Sequence, residues 1–248
     1  VRRLVVSDIH ANFEALDAVL WDASGLYDEI ICAGDLVGYG ASPAEVLDWA
    51  RGADGPRAIV RGNHDRAAAV PSEAEDFNEY ALEALLWTRA QLRRDDLDWL
   101  GSLPAGPLER ECFTIAHGSP AGEDDYLVSG VDIESVRARL TRPMCVVGHS
   151  HIQGGWSLER GGVVRLARPT DSERERVIDL QAGFSYVINP GSVGQPRDRD
   201  PRAAYAIWDQ DEALLRFRRA RYNVRAAQER IRDAGLPAFL ADRLAAGK

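Results

Sequence analysis

The stretch RAIVRGNHDR, residues 57–66, decides how this chain folds. Its apolar run, Ala58-Ile59-Val60, reads as a buried strand. The run stops at Gly62, and Asn63, His64 and Asp65 follow in consecutive positions. An amide, an imidazole and a carboxylate at the end of a core strand admit three readings: a plain turn, a metal site, or acid–base chemistry. The same arrangement recurs along the chain. LVVS (4–7) runs into Asp8-Ile9-His10, and EIICAG (29–34) runs into Asp35. CFTIAHG (112–118) ends on His117-Gly118, and MCVVGHS (144–150) ends on Gly148-His149-Ser150 with His151 next. FSYVI (184–188) runs into Asn189-Pro190-Gly191-Ser192. In α/β sheets, ligands bind outside the carboxyl ends of the strands. If the early strands are parallel neighbours, these side chains converge on one edge.

The five early runs are nearly continuous in apolar residues, as suits strands covered on both faces. Between them lie helical signals. Residues 12–24 carry Phe13, Leu16, Val19 and Leu20 at helical spacing. SPAE (42–45) has the pattern of a capping box with proline at the first helical position. PSEAE (71–75) offers another and opens a long helix with Leu82, Leu85, Leu86 and Leu92 on one side. DIESVRARL (132–140) is a further helix. Strand–helix alternation predicts α/β layers. Residues 71–103 hold only helix and read as a helical insert or lid. Residues 152–220 lose the helices, and GGVVRLA, RVIDL, FSYVINP, AAYAIWD and ALLRFRRARY predict a second, more antiparallel sheet. RPTDSERER (168–176) reads as a solvated, mobile loop. Residues 223–246 are helical again, with a break at Gly235-Leu236-Pro237. With no repeat and no clear linker, residues 1–248 read as a single two-sheet domain.

Composition narrows the function. The chain has 248 residues, 45% apolar and 28% charged, as expected of a globular protein. No apolar run approaches the roughly 20 residues of a membrane-spanning helix, and VRRLVVSDIH has no signal-peptide cleavage pattern. Cys32, Cys112 and Cys145 each lie inside an apolar run without zinc-finger spacing. They read as reduced thiols in a cytoplasmic protein. A net charge of −9 argues against tracking a long nucleic acid. It leaves room for a small phosphate substrate, because bound cations reverse the field locally.

The histidines concentrate the argument. All five, His10, His64, His117, His149 and His151, sit at strand ends. Asp8 and His10 are two apart, as are His149 and His151, so in extended chain each pair presents two donors to one side. The donors are Asp8, His10, Asp35, Asn63, His117, His149 and His151, with His64 in reserve. Seven exceed a tetrahedral zinc site and suit two ions sharing a bridging carboxylate. With no cysteine among them, the site is of mixed oxygen and nitrogen, which admits manganese, iron, zinc, cobalt or nickel.

SDIH, GDLVGYG, RGNHD, AHGSP and GHSH, in that order, resemble the signature of calcineurin-like metallophosphoesterases over residues 1–152. INPGSVGQPRD (188–198) resembles the small prokaryotic branch, whose members are described as phosphodiesterases or as similar to diadenosine tetraphosphatases. The resemblance implies an α/β fold, a sandwich of two β-sheets flanked by helices. It implies two divalent ions, manganese leading. Asp8, His10, Asp35 and His151 hold one; Asp35, Asn63, His117 and His149 hold the other. His64 faces the substrate as a catalytic residue, and Asp65 orients its imidazole. Ala11 stands where relatives often have glycine, which predicts a slightly altered loop held to ordinary φ values.

Two such ions activate a bridging hydroxide and grip the phosphoryl oxygens, and a protonated His64 donates to the leaving oxygen or to a non-bridging one. Asn12 is open to two readings, substrate contact or helix N-cap. Tyr39 either stacks on a base or packs its loop. Ser119, Asn189, Ser192 and Arg197 fall near the rim, where Arg197 pairs with a distal phosphate or is an ordinary surface arginine. Tyr80 and Trp87 either face the pocket or are core. The leading function is hydrolysis of a small phosphodiester, phosphomonoester or nucleotide, with no long nucleic-acid or membrane partner. The alternatives are a phosphoprotein phosphatase and a non-catalytic scaffold.

Overall fold

A computed structural model describes residues 1–248. The chain opens with β1 (Arg2–Val6), α1 (Phe13–Asp22), β2 (Glu29–Cys32), α2 (Pro43–Arg51) and β3 (Ala58–Ile59). These strands run parallel, with Val5 opposite Ile31 and Cys32 opposite Ile59. Three helices follow: α3 (Asn63–Ala69), α4 (Glu79–Gln91) and α5 (Arg94–Ser102). The chain then crosses to a second sheet with β4 (Leu108–Glu109), β5 (Phe113–Ile115), α6 (Gly130–Val136), β6 (Met144–Val146), β7 (Gly154–Glu159) and β8 (Gly162–Arg165). Next come β9 (Glu175–Asp179), β10 (Ser185–Asn189), β11 (Ala203–Asp209) and β12 (Leu214–Ala220), and finally α7 (Val224–Asp233) and α8 (Ala238–Ala246).

The two sheets have six strands each, in the orders β3-β2-β1-β11-β12-β9 and β4-β5-β6-β10-β7-β8. This corrects the expectation of one early parallel sheet and one late antiparallel sheet. The late strands complete both: β11 pairs antiparallel with β1, while β10 inserts parallel to β6. An apolar run cannot announce its sheet, because both sheets are covered on two faces. Val5, Ile31, Ile115, Val146, Ile188 and Phe217 fill the space between the sheets. Their strand neighbours Leu4, Val6, Ile30 and Cys32 point the other way, onto Leu16, Val19, Val46 and Leu47 of α1 and α2. Cys145 and Val187 meet Ile133 and Val136 of α6 on the outer face of the second sheet. The result is helix, sheet, sheet, helix, the layered sandwich expected.

Several local readings change. Ser42 makes no side-chain cap to α2; its hydroxyl accepts from Arg230 Nη1 at 3.1 Å instead. Residues 71–74 form only a 3-10 turn, and the long helix starts later, capped by Asn78 Oδ1 accepting from Ala81 N at 3.0 Å. On that helix Ala81, Ala84, Leu85 and Thr88 are buried, while Leu82 and Leu86 are exposed. Residues 168–176 are not free: β9 begins at Glu175 and pairs with β12. Arg202 also pins the preceding loop through the carbonyls of Glu173 and Thr170, at 2.7 and 3.1 Å. The break at 235–237 separates α7 from α8, as read. No helix is long and apolar enough to cross a membrane.

Candidate metal centre

The donors lie just beyond the strands, not in extended chain. Asp8, His10, Asp35, His149 and His151 all have left-handed backbone, with φ of 53°, 50°, 55°, 64° and 59°. Each such residue costs about 1–2 kcal/mol relative to ordinary φ. Interstrand hydrogen bonds hold the turns: Asp8 N donates to Gly34 O (2.9 Å), His10 N to Asp35 O (3.0 Å) and Ala11 N to Leu36 O (2.8 Å). Ala11 adopts φ 49°, so the loop keeps the glycine-like turn and the alanine carries the strain. That corrects the expectation of ordinary φ at this position. The left-handed turns also correct the two-apart argument. Asp8 and His10 do share one donor group, but His149 and His151 enter different ones.

In the first group Asp8, His10, Asp35 and His151 each place a ligand atom within 4.8 Å of the others; in the second Asp35, His117 and His149 do the same. Asp35 belongs to both. Backbone carbonyls fix the tautomers, because a carbonyl only accepts. His10 Nδ1 donates to Val37 O (3.0 Å), His151 Nδ1 to Gln195 O (2.7 Å) and His117 Nδ1 to Ala33 O (2.7 Å). Burial holds His10 and His151 far below the usual imidazole range, so their Nε2 atoms are bare lone pairs. These two atoms face each other at 3.0 Å, a repulsive contact unless a cation lies between them. Asp35 Oδ2 stands 3.5 Å from His10 Nε2 and 3.4 Å from His117 Nε2. Asp35 Oδ2 and Asp8 Oδ2 are buried without a hydrogen-bond partner. Orphaned carboxylate oxygens beside opposed imidazole lone pairs fit divalent ions of the borderline class.

The second group adds an amide and a reversed imidazole. Asn63 Oδ1 lies 3.2 Å from His117 Nε2, and His149 presents Nδ1, at 3.2 Å from the same atom. Burial alone would lower His117, but the Asp35 carboxylate raises it to about 10. Without an ion, a proton there partly neutralises the carboxylate. Asp35 is held well below the ordinary range, its burial outweighed by His117 and His64. Burial raises Asp8 to about 7. Close packing leaves no room for side chains at two glycines. A Cβ on Gly62 would sit 2.0 Å from Asp35 Oδ1, and one on Gly148 would sit 2.0 Å from Ser7 Oγ.

His64 and Asp65 open α3, and their roles separate. The His64 ring is buried among His10, Tyr39 and Phe77, at centroid distances of 4.9, 4.4 and 4.6 Å. Its backbone N–H donates to Asp35 Oδ1 at 2.9 Å. Its Nδ1 has no partner. Asp65 does not touch the imidazole, a correction to its expected orienting role. Consecutive residues on a helix diverge by roughly 100°, so the carboxylate turns into the protein. There it accepts from Leu36 N (2.9 Å), Val37 N (3.2 Å) and Gly62 N (3.0 Å). Burial lowers His64 to about 4, so it is neutral rather than protonated in the ion-free protein. His149 also falls to about 4, through burial and then the nearby His117.

Above the donors lies a cleft of about 280 Å³. Of the six expected rim residues, Tyr39 and Arg197 line it. The other four turn into the protein. Asn12 caps α1 through Ala15 N (3.1 Å) and donates to Gly194 O (2.9 Å). Ser119 bonds Asp125 Oδ2 (2.6 Å), Asn189 donates to Gly148 O (2.6 Å), and Ser192 donates to the Asp8 carbonyl (2.7 Å). All four brace the ligand loops. Tyr80 stacks on Phe239 at 4.9 Å, and Trp87 packs against the cluster formed by α4, α7 and α8. The cleft wall also contains Asp76, Phe77, Asn78, Tyr126 and Arg243, which sequence reasoning missed. The helical stretch therefore does reach the cleft, through Asp76, Phe77 and Asn78 before α4 and Ala81 in its first turn. Tyr126 lies against the His149 ring at 4.0 Å.

The profile of the calcineurin-like phosphoesterase superfamily domain matches residues 2–213. The chain is 34% identical to uncharacterized protein MJ0912 of Methanocaldococcus jannaschii, over 98% of this chain and 97% of that one. A metallophosphoesterase from Sphaerobacter thermophilus, of known crystal structure, is 38% identical with full coverage of both chains and a TM-score of 0.86. The hypothetical protein PH1004 of Pyrococcus horikoshii OT3 shares the fold at 20% identity, with 100% and 98% coverage and a TM-score of 0.80. By profile, and by its likeness to a metallophosphoesterase of known structure, the chain belongs to the calcineurin-like phosphoesterase superfamily.

Proposed function

We propose that this chain is a two-metal phosphoesterase that hydrolyses a small phosphodiester, phosphomonoester or nucleotide. The observation that carries the reading is the pair of orphaned carboxylate oxygens, on Asp8 and Asp35, beside facing imidazole nitrogens under a polar cleft. One ion is assigned to Asp8, His10, Asp35 and His151, and the other to Asp35, Asn63, His117 and His149. Bound divalent ions would supply Lewis-acid charge and an activated water.

The remaining work falls to the chain's own groups. A neutral imidazole carries one proton. At His64 Nδ1 that proton would be buried with no acceptor, so it resides on Nε2. The ring lines the cleft, and Nε2–H is its donor to a phosphoryl or leaving oxygen. This needs no protonated histidine, in contrast to the expectation from sequence. Arg197 adds positive charge on the wall. A cleft of about 280 Å³ is near the lower end for small-ligand sites, which favours a compact substrate over a folded phosphoprotein. The net charge of −9 disfavours long nucleic acids. We read residues 1–248 as one domain, with 71–103 forming part of the cleft wall.

The test is metal-free protein resupplied in turn with manganese, iron, cobalt, nickel and zinc. It is assayed on bis(p-nitrophenyl) phosphate, p-nitrophenyl phosphate, diadenosine tetraphosphate and a phosphopeptide. Turnover that requires about two equivalents of metal and favours the small substrates is expected. No turnover with any ion would remove the reading, and preference for the phosphopeptide would redirect it.

A further inference from the structure

We propose that Arg197 and Arg243, gathered around the ring of Tyr39, form a second anion subsite, and that the preferred substrates carry an anionic group besides the phosphate being cleaved. The proposal rests on the phosphoesterase reading and narrows its substrate class to compounds such as nucleoside polyphosphates.

The first observation is a break in a rule this molecule otherwise follows. Its arginines withdrawn from solvent are paired with carboxylates: Arg3 with Glu29, Arg66 with Glu123, Arg202 with Asp200, Arg219 with Asp198. The exceptions are Arg89, which donates to the Ala68 carbonyl, and Arg197 and Arg243. Those two line the same cleft. Arg197 Nη2 reaches Gln195 Oε1 at 3.1 Å and Tyr39 Oη at 3.5 Å, while its Nε is buried with no partner. Arg243 Nε donates to the main-chain oxygen of Lys248, the last residue of the sequence, and its outer guanidinium nitrogens have no side-chain carboxylate beside them.

The second observation is placement. The guanidinium carbons of Arg197 and Arg243 lie 5.9 and 6.0 Å from the centroid of the Tyr39 ring. That ring in turn is 4.8 Å from His10 and 4.4 Å from His64. The two cations therefore sit one side chain away from the metal donors, beside the reaction site rather than within it. Burial and the nearby Arg197 both lower Arg243, so the pair is electrostatically unfavourable until an anion lies between or above it. A planar guanidinium pair with free donor edges is suited to phosphate oxygens. The exposed Asp76 lines the same cleft and opposes the attraction. Two arginines against one solvated carboxylate still leave the wall cationic.

The experiment compares metal-loaded wild type with Arg243→Gln and Arg243→Lys. The substrates are bis(p-nitrophenyl) phosphate, which has one anionic charge, and diadenosine tetraphosphate, which has several. Wild type should favour the polyphosphate. Arg243→Gln should lower the kcat/KM ratio of polyphosphate to diester by about 10–100-fold, mainly through KM, and Arg243→Lys should recover part of it. Metal content and melting temperature are checked to match wild type. An equal loss on both substrates, or an unchanged ratio, overturns the subsite while leaving the phosphoesterase reading intact. No turnover by wild type of either substrate, nor of p-nitrophenyl phosphate, sinks the phosphoesterase reading instead. The arginines are then read by calorimetric titration of the same three proteins, metal-free, with inorganic tripolyphosphate. Binding weakened at least about tenfold by Arg243→Gln supports the subsite, and absent or indifferent binding overturns it.

Discussion

The floor and the rim of the cleft are built by opposite means. The floor is made of short strand-end turns whose ligands are buried and whose backbone is strained at five donor residues. Every tautomer-fixing hydrogen bond there comes from main-chain carbonyls of neighbouring loops. The rim is made of side chains from distant parts of the chain: Tyr39 after β2, Phe77 before α4, Arg197 after β10, Arg243 in α8. They are held by ring contacts and long cationic side chains. The floor is over-determined and fits an ion; the rim has free donors and fits a ligand. Substitutions on the floor should therefore abolish function through metal loss, whereas those near the rim should change turnover or selectivity with the metals in place.

The largest effect is expected at Asp35, the carboxylate common to both donor groups. Asp35→Asn removes the negative charge that holds His117 up at about 10 and that would bridge two ions. Metal analysis should find neither ion tightly held, and phosphoesterase activity should fall below detection. Two tightly bound ions in this variant would end the shared-ligand assignment.

Next comes His64→Ala, at the boundary between floor and rim. The side chain donates to no metal ligand, and its Nδ1 is unpartnered, so both ions should remain. Turnover should drop about 10²–10⁴-fold, the usual contribution of a positioned proton donor. If an ion leaves instead, His64 belongs to the floor and its role as donor is wrong.

These contrasts also explain what the sequence made legible. The floor could be read because its ligands sit within about three residues of apolar runs, and because four of the five histidines in the chain fall there, with His64 at its edge. The rim could not, since Arg243 is more than 200 residues from Tyr39 and only the packing of α8 against α4 and α7 brings them together. The sandwich was legible as layers, but strand partners were not, because Val5 and Val187 sit in equally apolar runs that end up in different sheets. Asn12, Ser119, Asn189 and Ser192 looked like rim polar groups and are loop braces, since nothing in a residue's identity says which way its side chain turns. Asp65 differs for another reason: the resemblance implies that it orients the neighbouring His64, but on a helix consecutive side chains diverge and its carboxylate goes to main-chain N–H groups instead.

Asp65→Asn tests that last point and should be milder than either Asp35→Asn or His64→Ala. An amide can no longer accept on both sides from Gly62 N and from the Leu36 and Val37 N–H groups. Leaving a buried donor unmatched costs about 1–3 kcal/mol, or roughly 2–10 °C of melting temperature for a chain of this size. The pH profile of kcat should keep its shape, because the carboxylate does not contact the imidazole. A displaced profile with unchanged melting would restore the orienting role.

The smallest effect is expected at Ala11, where floor strain can be relieved without touching a ligand. Its φ of 49° is enforced by Ala11 N donating to Leu36 O at 2.8 Å and by Ser42 N donating to Ala11 O at 2.9 Å. Alanine in this region carries about 1–2 kcal/mol of strain. Glycine removes the strain but adds unfolded-state entropy worth about 0.4–1 kcal/mol. The difference favours Ala11→Gly by roughly 0.5 kcal/mol, a rise of about 1–2 °C in melting temperature, with metal content unchanged. A lower melting temperature would show that the buried methyl packs against its surroundings more favourably than its backbone is strained. The floor would then tolerate left-handed alanine because of that packing, and not merely because the interstrand hydrogen bonds outweigh the strain.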